Sequence, residues 1–268
     1  MKYSFMSFSG PQLTLGELLA VAKRFGYDGV EPRIDSQHKH GVETAASAAQ
    51  RKEIKKQVAA GKVALACIAT SCKYADPEIT RQNVDYTLKC IDLAADVGAG
   101  RIRVFGGVWA KDQKREDAIR IVADALRTVA DHAQVRGVKV CMETHDSWCL
   151  PEDVAAVMQR VNHPAIAVNW DIMHPVRVHK TPIDEAFATL QPWIRHLHFH
   201  DGAPGTTQLV PIGNGGIDHR RAIELLQTIP YEGYLSGEWL RWSDPYEMHL
   251  PRELATMKSY ERAAAAAR

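Results

Sequence analysis

The sequence predicts an α/β protein, a closed (β/α)8 barrel, with residues 1–268 forming a single domain. Three observations predict it. Short apolar runs alternate with amphipathic helical stretches from end to end, which implies a parallel sheet. Eight strand–helix units can be traced. The length of 268 residues suits a TIM barrel, typically about 250 residues, better than an open sheet. No linker, charge run or composition shift divides the chain.

Residues 3–8 read as the first strand. Thr14-Leu15-Gly16-Glu17 has the spacing of a capping box, and Leu15, Leu18, Leu19 and Ala22 continue it as a helical stripe that Gly26 stops. A strand follows at 27–31, then a helix over 44–60 ending at Gly61, then a buried strand at 63–69. Thr80 is the expected cap of a helix closing at Gly98. Strand four is expected at 101–105, and a long helix over 114–136 ends at Gly137. Strand five covers 138–143, with a helix from Pro151. Strand six covers 166–171, with a helix from Pro182. Strand seven covers 194–200. Asp218 caps the next helix, strand eight covers 234–239, and a terminal helix begins near Pro251 and frays over 263–267.

Hydrophobic residues make up 46% and charged residues 24%, so a large core is expected and disorder is not. A net charge of +1 gives no bulk attraction to nucleic acid or an anionic membrane, and neither partner is expected. No run approaches the roughly 18 apolar residues of a membrane span. The first ten residues lack the apolar core of a signal peptide. The five cysteines, an odd number set in apolar runs, read as buried reduced thiols. These points together predict a cytoplasmic location.

Active sites of such barrels lie where the strands end. The polar residues ending the apolar runs are Glu31, Glu143, Asp171, His198 with His200, and Glu238. Glu143 could instead cap a helix, and Asp171 could pair with an arginine. A lone buried carboxylate at Glu238 would be expensive unless paired or coordinated. His196-Leu197-His198-Phe199-His200 alternates strictly, so one strand face carries all three histidines. Alternation alone leaves open which of them is a ligand, with His196 the deepest. Three carboxylates and an imidazole suit one divalent metal ion, Mn2+, Mg2+, Co2+ or Zn2+. Four protein ligands leave positions for a chelating hydroxy-carbonyl compound such as a sugar.

At these residues the sequence resembles the xylose isomerase-like TIM barrel family of sugar phosphate isomerases and epimerases. That family includes ketose 3-epimerases, hydroxypyruvate isomerases and inosose dehydratases, with apurinic-site endonucleases more distant. The resemblance rests on Met142-Glu143-Thr144-His145-Asp146, Trp170-Asp171-Ile172-Met173-His174-Pro175, His196-Leu197-His198-Phe199-His200-Asp201 and Gly233-Tyr234-Leu235-Ser236-Gly237-Glu238. The loop Pro211-Ile212-Gly213-Asn214-Gly215-Gly216-Ile217-Asp218 adds to it. The resemblance implies that Glu143, Asp171, His198 and Glu238 hold the metal, that Glu143 and Glu238 move protons, and that His174 binds substrate. It also implies a homodimer or homotetramer. Two positions depart from the family: His200 replaces a Lys or Gly, and the arginine following the strand-seven histidine has no counterpart.

The expected reaction is proton transfer next to a carbonyl through a metal-stabilised enediolate, in a sugar isomerase or epimerase. Elimination of water, as in an inosose-type dehydratase, is the alternative, with His174, His200 or His145 as acid. Phosphodiester hydrolysis would need more metal ligands and a basic surface. A metal-dependent amidohydrolase would carry its H-x-H on the first strand, and a sugar-binding barrel without catalysis would not need two glutamates. His145, His174, His200, Glu31 and Trp109 are the expected substrate contacts, although Trp109 could equally pack a loop. The loop 35–41 could close over the mouth or remain solvated.

Overall fold

The computed structural model describes residues 1–206 and 208–266. Seven strands are continuous: Lys2–Met6, Gly29–Glu31, Arg101–Val104, Lys139–Glu143, Ile166–Asp171, Ile194–Phe199 and Tyr234–Gly237, which are strands one, two and four to eight. The third strand is split. Ala64–Leu65 pairs with strand two, and Ile68–Ala69 pairs with strand four. The chain thus hands the ladder from one neighbour to the other, and Ala66 N still donates to Val30 O at 2.9 Å. Strand one pairs with strand eight, Tyr3 opposite Leu235, so the parallel sheet returns to its start.

Strand seven carries one irregularity. Ile194 pairs with Val168 and His196 with Asn169, so Arg195 is an extra, bulged residue. Past the bulge, His198 lies opposite Asp171.

The helices pack outside the barrel. Trp170 and Phe199 are fully buried, the first 6.0 Å from the Phe187 ring and the second 5.2 Å from His219, both on outer helices. Such a buried Val, Leu, Ile, Phe or Met side chain contributes roughly 1.5–3 kcal/mol. The interior is polar: Arg103, Asn169, His196 and Glu31 are all at most 1% exposed.

Local signals are realised where they are self-contained. Thr14 and Glu17 form the capping box of helix Leu15–Phe25, and Gly26 at φ 85° closes it. Asp218 accepts from Arg221 N and caps helix His219–Leu226. All five cysteines are free and buried.

Other expectations need correction. The helix expected to start at Thr80 begins at Pro77, because Asp76 accepts from Glu78 N and caps it. Helix Ala48–Gly61 runs through Gly61, and Lys62 takes the left-handed position at φ 56°. A short helix, Met173–His179, directly follows strand six and was not anticipated. The terminal helix is Tyr246–Ala266, starting five residues before Pro251, which lies inside it. Of the run 263–267, residue 267 lies outside the described residues.

Candidate metal and active site

Glu143 and Asp171 end strands five and six, His198 is the last residue but one of strand seven, and Glu238 begins the segment after strand eight. Each offers one donor atom, and all four atoms lie within 4.8 Å of one another. His198 stands at the centre, its Nδ1 2.5 Å from Glu143 Oε1 and 3.0 Å from Glu238 Oε2. The Glu238 side chain is 15% exposed and the Glu143 side chain only 1%, so Glu238 opens toward solvent.

Strand alternation explains the three histidines. His196, His198 and His200 reach Glu31, Glu143 and Asp171, carboxylates of strands two, five and six, so all three point inward. They differ in depth. His196 Nε2 is 2.7 Å from Glu31 Oε2, whereas His200 Nε2 is 2.8 Å from Asp171 Oδ2 at the mouth. Glu31, expected to touch substrate, is instead fully buried. Its Oε1 lies 3.1 Å from His198 Nε2, so it holds that ring from behind and turns Nδ1 toward the other carboxylates.

Burial alone would raise the carboxyls, but their neighbours outweigh it. Arg103 and His198 hold Glu143 down to about 2, and His198 holds Glu238 down to about 2. His200 and His174 keep Asp171 below the usual range against the same burial. Burial disfavours charge on His198, yet the three surrounding glutamates push it well above its ordinary value.

Two interior residues escaped the sequence reading. Arg103 is 1% exposed, with Nε 3.4 Å from Glu143 Oε2, one NH donating to Thr70 O at 2.8 Å, and its guanidinium over the Phe105 ring. Asn169 Nδ2 donates to Glu143 Oε1 at 3.1 Å. Asn169 was visible by parity, two residues before Asp171 in the same strand, whereas strand four held no placed site residue that could have marked Arg103. A third, Asp201, organises the glycine loop. Its carboxylate accepts from the N–H groups of Gly202, Gly213, Gly215 and Ile217.

A cavity of about 770 Å³ opens above the four-residue cluster. His145, His174, His200 and Glu238 line it, with Arg177 and Arg241. The His145 and His174 rings are 4.3 Å apart, and His174 Nε2 is 3.7 Å from Asp171 Oδ2. Burial opposes charge on His145, but its bond to Asp146 and the Glu143 charge raise it to about 9. Trp109 is not part of this lining. It packs edge-on against Trp148 at 4.9 Å.

The donor set fits a divalent cation. Three acidic groups and one imidazole nitrogen converge where water is largely excluded, and buried Asp171 Oδ2 lies 2.8 Å from His200 Nε2 but poorly aligned for a hydrogen bond with it. Here His198 and Arg103 offset the mutual repulsion of these carboxylates, and a divalent cation among them would offset it in the same way.

Comparison with known proteins agrees with this architecture. The chain is similar to the L-ribulose-5-phosphate 3-epimerase UlaE of Salmonella typhimurium, 27% identical over 237 residues that cover 83% of this chain and 81% of that protein. Among solved structures, an L-ribulose 3-epimerase superposes with a TM-score of 0.80 at 17% identity, covering 99% of this chain and 96% of that one. The probable 3-DHS dehydratase AsbF of Bacillus anthracis gives a TM-score of 0.80 at 18% identity, covering 96% and 99%. Residues 19–261 match the family model, and this chain belongs to the xylose isomerase-like TIM barrel family.

Proposed function

We propose that this protein is a divalent-metal-dependent sugar isomerase or epimerase acting by proton transfer next to a carbonyl. The observation that carries this reading is the convergence of Glu143, Asp171, His198 and Glu238 within 4.8 Å at the barrel mouth. The epimerase names of UlaE and the L-ribulose 3-epimerase support it. These four residues would hold the cation, with Mn2+, Mg2+, Co2+ and Zn2+ all compatible with the donors. When bound, the cation supplies Lewis acidity, lowering the cost of negative charge on a substrate carbonyl oxygen.

The side chains do the rest. Glu238 faces the cavity and takes the proton from the carbon beside the carbonyl. Glu143, on the far side of His198, is ionised at rest and would take up a proton from solvent before returning it from the other face, the requirement for epimerisation, while Glu238 loses its own to solvent to reset the site. Arg103 and Asn169 fix the Glu143 carboxylate from below. His145, His174 and His200 form one wall against which substrate hydroxyls are oriented, and Arg177 and Arg241 bring positive charge to the rim. Water loss on the same site is the second reading, because that wall places three imidazoles beside the carboxylates, where a leaving hydroxyl needs an acid. A homodimer or homotetramer and a cytoplasmic location complete the proposal. Among the described residues no helix is long and apolar enough to cross a membrane.

Glu238→Gln tests it. Turnover of candidate ketoses should fall roughly 10²–10⁴-fold, and a Mn2+ titration should show weakened binding. Full turnover with the metal bound in that variant would remove Glu238 from the mechanism.

A further inference from the structure

At the opposite end of the barrel, where the strands begin, basic side chains converge on a cavity of about 490 Å³. Three cations line it: Arg101, the first residue of strand four, Lys139, the first of strand five, and Arg195 of strand seven. Arg101 and Lys139 are direct partners across the parallel ladder, so their side chains leave the sheet side by side. Arg195 reaches the same place by another device. It is the bulged residue, exposed between buried Ile194 and His196, and a bulge re-aims the side chain it carries.

The three cations are held by backbone oxygens. Arg101 Nε donates to Arg195 O at 2.8 Å, and Lys139 Nζ donates to Pro164 O at 2.7 Å. Arg195 donates to Ile194 O at 2.7 Å. Carbonyl oxygens orient a cation but do not neutralise it. Among the described residues none of the three forms an ion pair. Glu232, the one acidic residue among those lining the cavity, reaches Arg101 through its backbone carbonyl, at 3.5 Å. Like charges gathered on a concave surface repel, and an anion seated among them relieves that cost.

We infer that this cavity is a phosphate-binding site, distinct from the catalytic mouth and built from Arg101, Lys139 and Arg195. Two planar guanidinium forks and one ammonium are the donors that recognise a phosphate group. The cavity also falls in the size range of small-molecule sites, about 300–1,000 Å³, which favours a phosphorylated metabolite over the free ion. Lys139 lies four residues before Glu143, about 13 Å away along strand five, so an occupant here touches none of the proposed metal ligands.

The test is isothermal titration of the metal-loaded protein with inorganic phosphate and, separately, ADP, with ionic strength held constant by chloride. Saturable binding is expected, weakened roughly 10- to 100-fold in Lys139→Gln and in Arg195→Gln, because each removes a charge-assisted hydrogen bond. Both variants should keep the wild-type turnover and circular dichroism. Arg241→Gln, at the other end of the barrel, should leave the binding unchanged. Tighter binding of ADP than of phosphate would identify a phosphorylated metabolite as the occupant, and equal binding the free ion. Binding undiminished in both variants, or reproduced by chloride alone, would overturn the assignment.

Discussion

Glu31 and His196 form a fully buried pair beneath His198, and their burial makes sense only as a pair. An isolated carboxylate there would carry a desolvation cost of several kcal/mol, whereas bonds to two imidazoles offset it. The pair also fixes which nitrogen of His198 faces the mouth. Glu31→Gln should therefore weaken Mn2+ binding roughly 10- to 100-fold while Glu143, Asp171 and Glu238 remain in place. Unchanged affinity in a titration of that variant would show that Glu31 is structural only. The sequence made the inward face of His196, His198 and His200 legible through alternation. It did not separate them, because their roles depend on depth and on carboxylates contributed by strands two, five and six. Arg103 was hidden for a related reason: a basic residue in a short run carries no sign of burial until Glu143 is known to lie beside it.

Two local caps were read well, a third was misplaced from Asp76 to Thr80, and elements governed by neighbours were not legible. The capping box at Thr14 and the cap at Asp218 involve residues three apart, and both are present. The split of strand three depends on which neighbour supplies the ladder, which no local pattern encodes. The glycine loop after strand seven is another case. Its turn was expected, but its organiser, Asp201, lies more than ten residues upstream of most of the N–H groups it accepts. Asp201→Ala would leave those donors without their acceptor and should lower stability by roughly 3 kcal/mol, read as a shift in the urea midpoint. Gly215→Ala should act on the same loop, since a Cβ there would meet Asp201 Oδ1 at 2.1 Å and Gly202 O at 2.5 Å. A cost of about 1–3 kcal/mol is expected for such overpacking. A wild-type midpoint in both variants would show that the loop does not depend on this carboxylate.

For the whole molecule, acid sensitivity follows from buried neutral histidines. His40 is 4% exposed, and both ring nitrogens are used: Nδ1 accepts from Val42 N–H, and Nε2–H donates to Arg33 O. Burial, with a smaller push from His38, lowers it from 6.5 to about 4, against the bond to Arg33. A folded-state value below the unfolded one means that the unfolded chain binds the proton first. The contribution is complete above about pH 6.5 and is lost as pH falls toward 4, roughly 2 kcal/mol of it between pH 7 and pH 5. His40→Gln should flatten that slope relative to wild type in urea titrations at the two pH values. An identical slope would exclude His40 as a source.

The barrel and the strand-end position of its acidic residues were legible because hydrophobic periodicity and chain length report on the whole chain at once. The proposed chemistry depends on residues of strands five, six and seven meeting Glu238, just past strand eight, at one point, so the decisive measurement is made on the reaction. Metal-loaded protein should be incubated in D2O with a panel of ketoses, ketose phosphates and keto-glycosides, and deuterium in the recovered sugar followed by NMR. Deuterium should enter at the carbon beside the carbonyl of at least one sugar, and the signal should vanish with chelator and in Glu238→Gln. Turnover of one of those sugars without any solvent deuterium entering it would contradict proton transfer by Glu143 and Glu238.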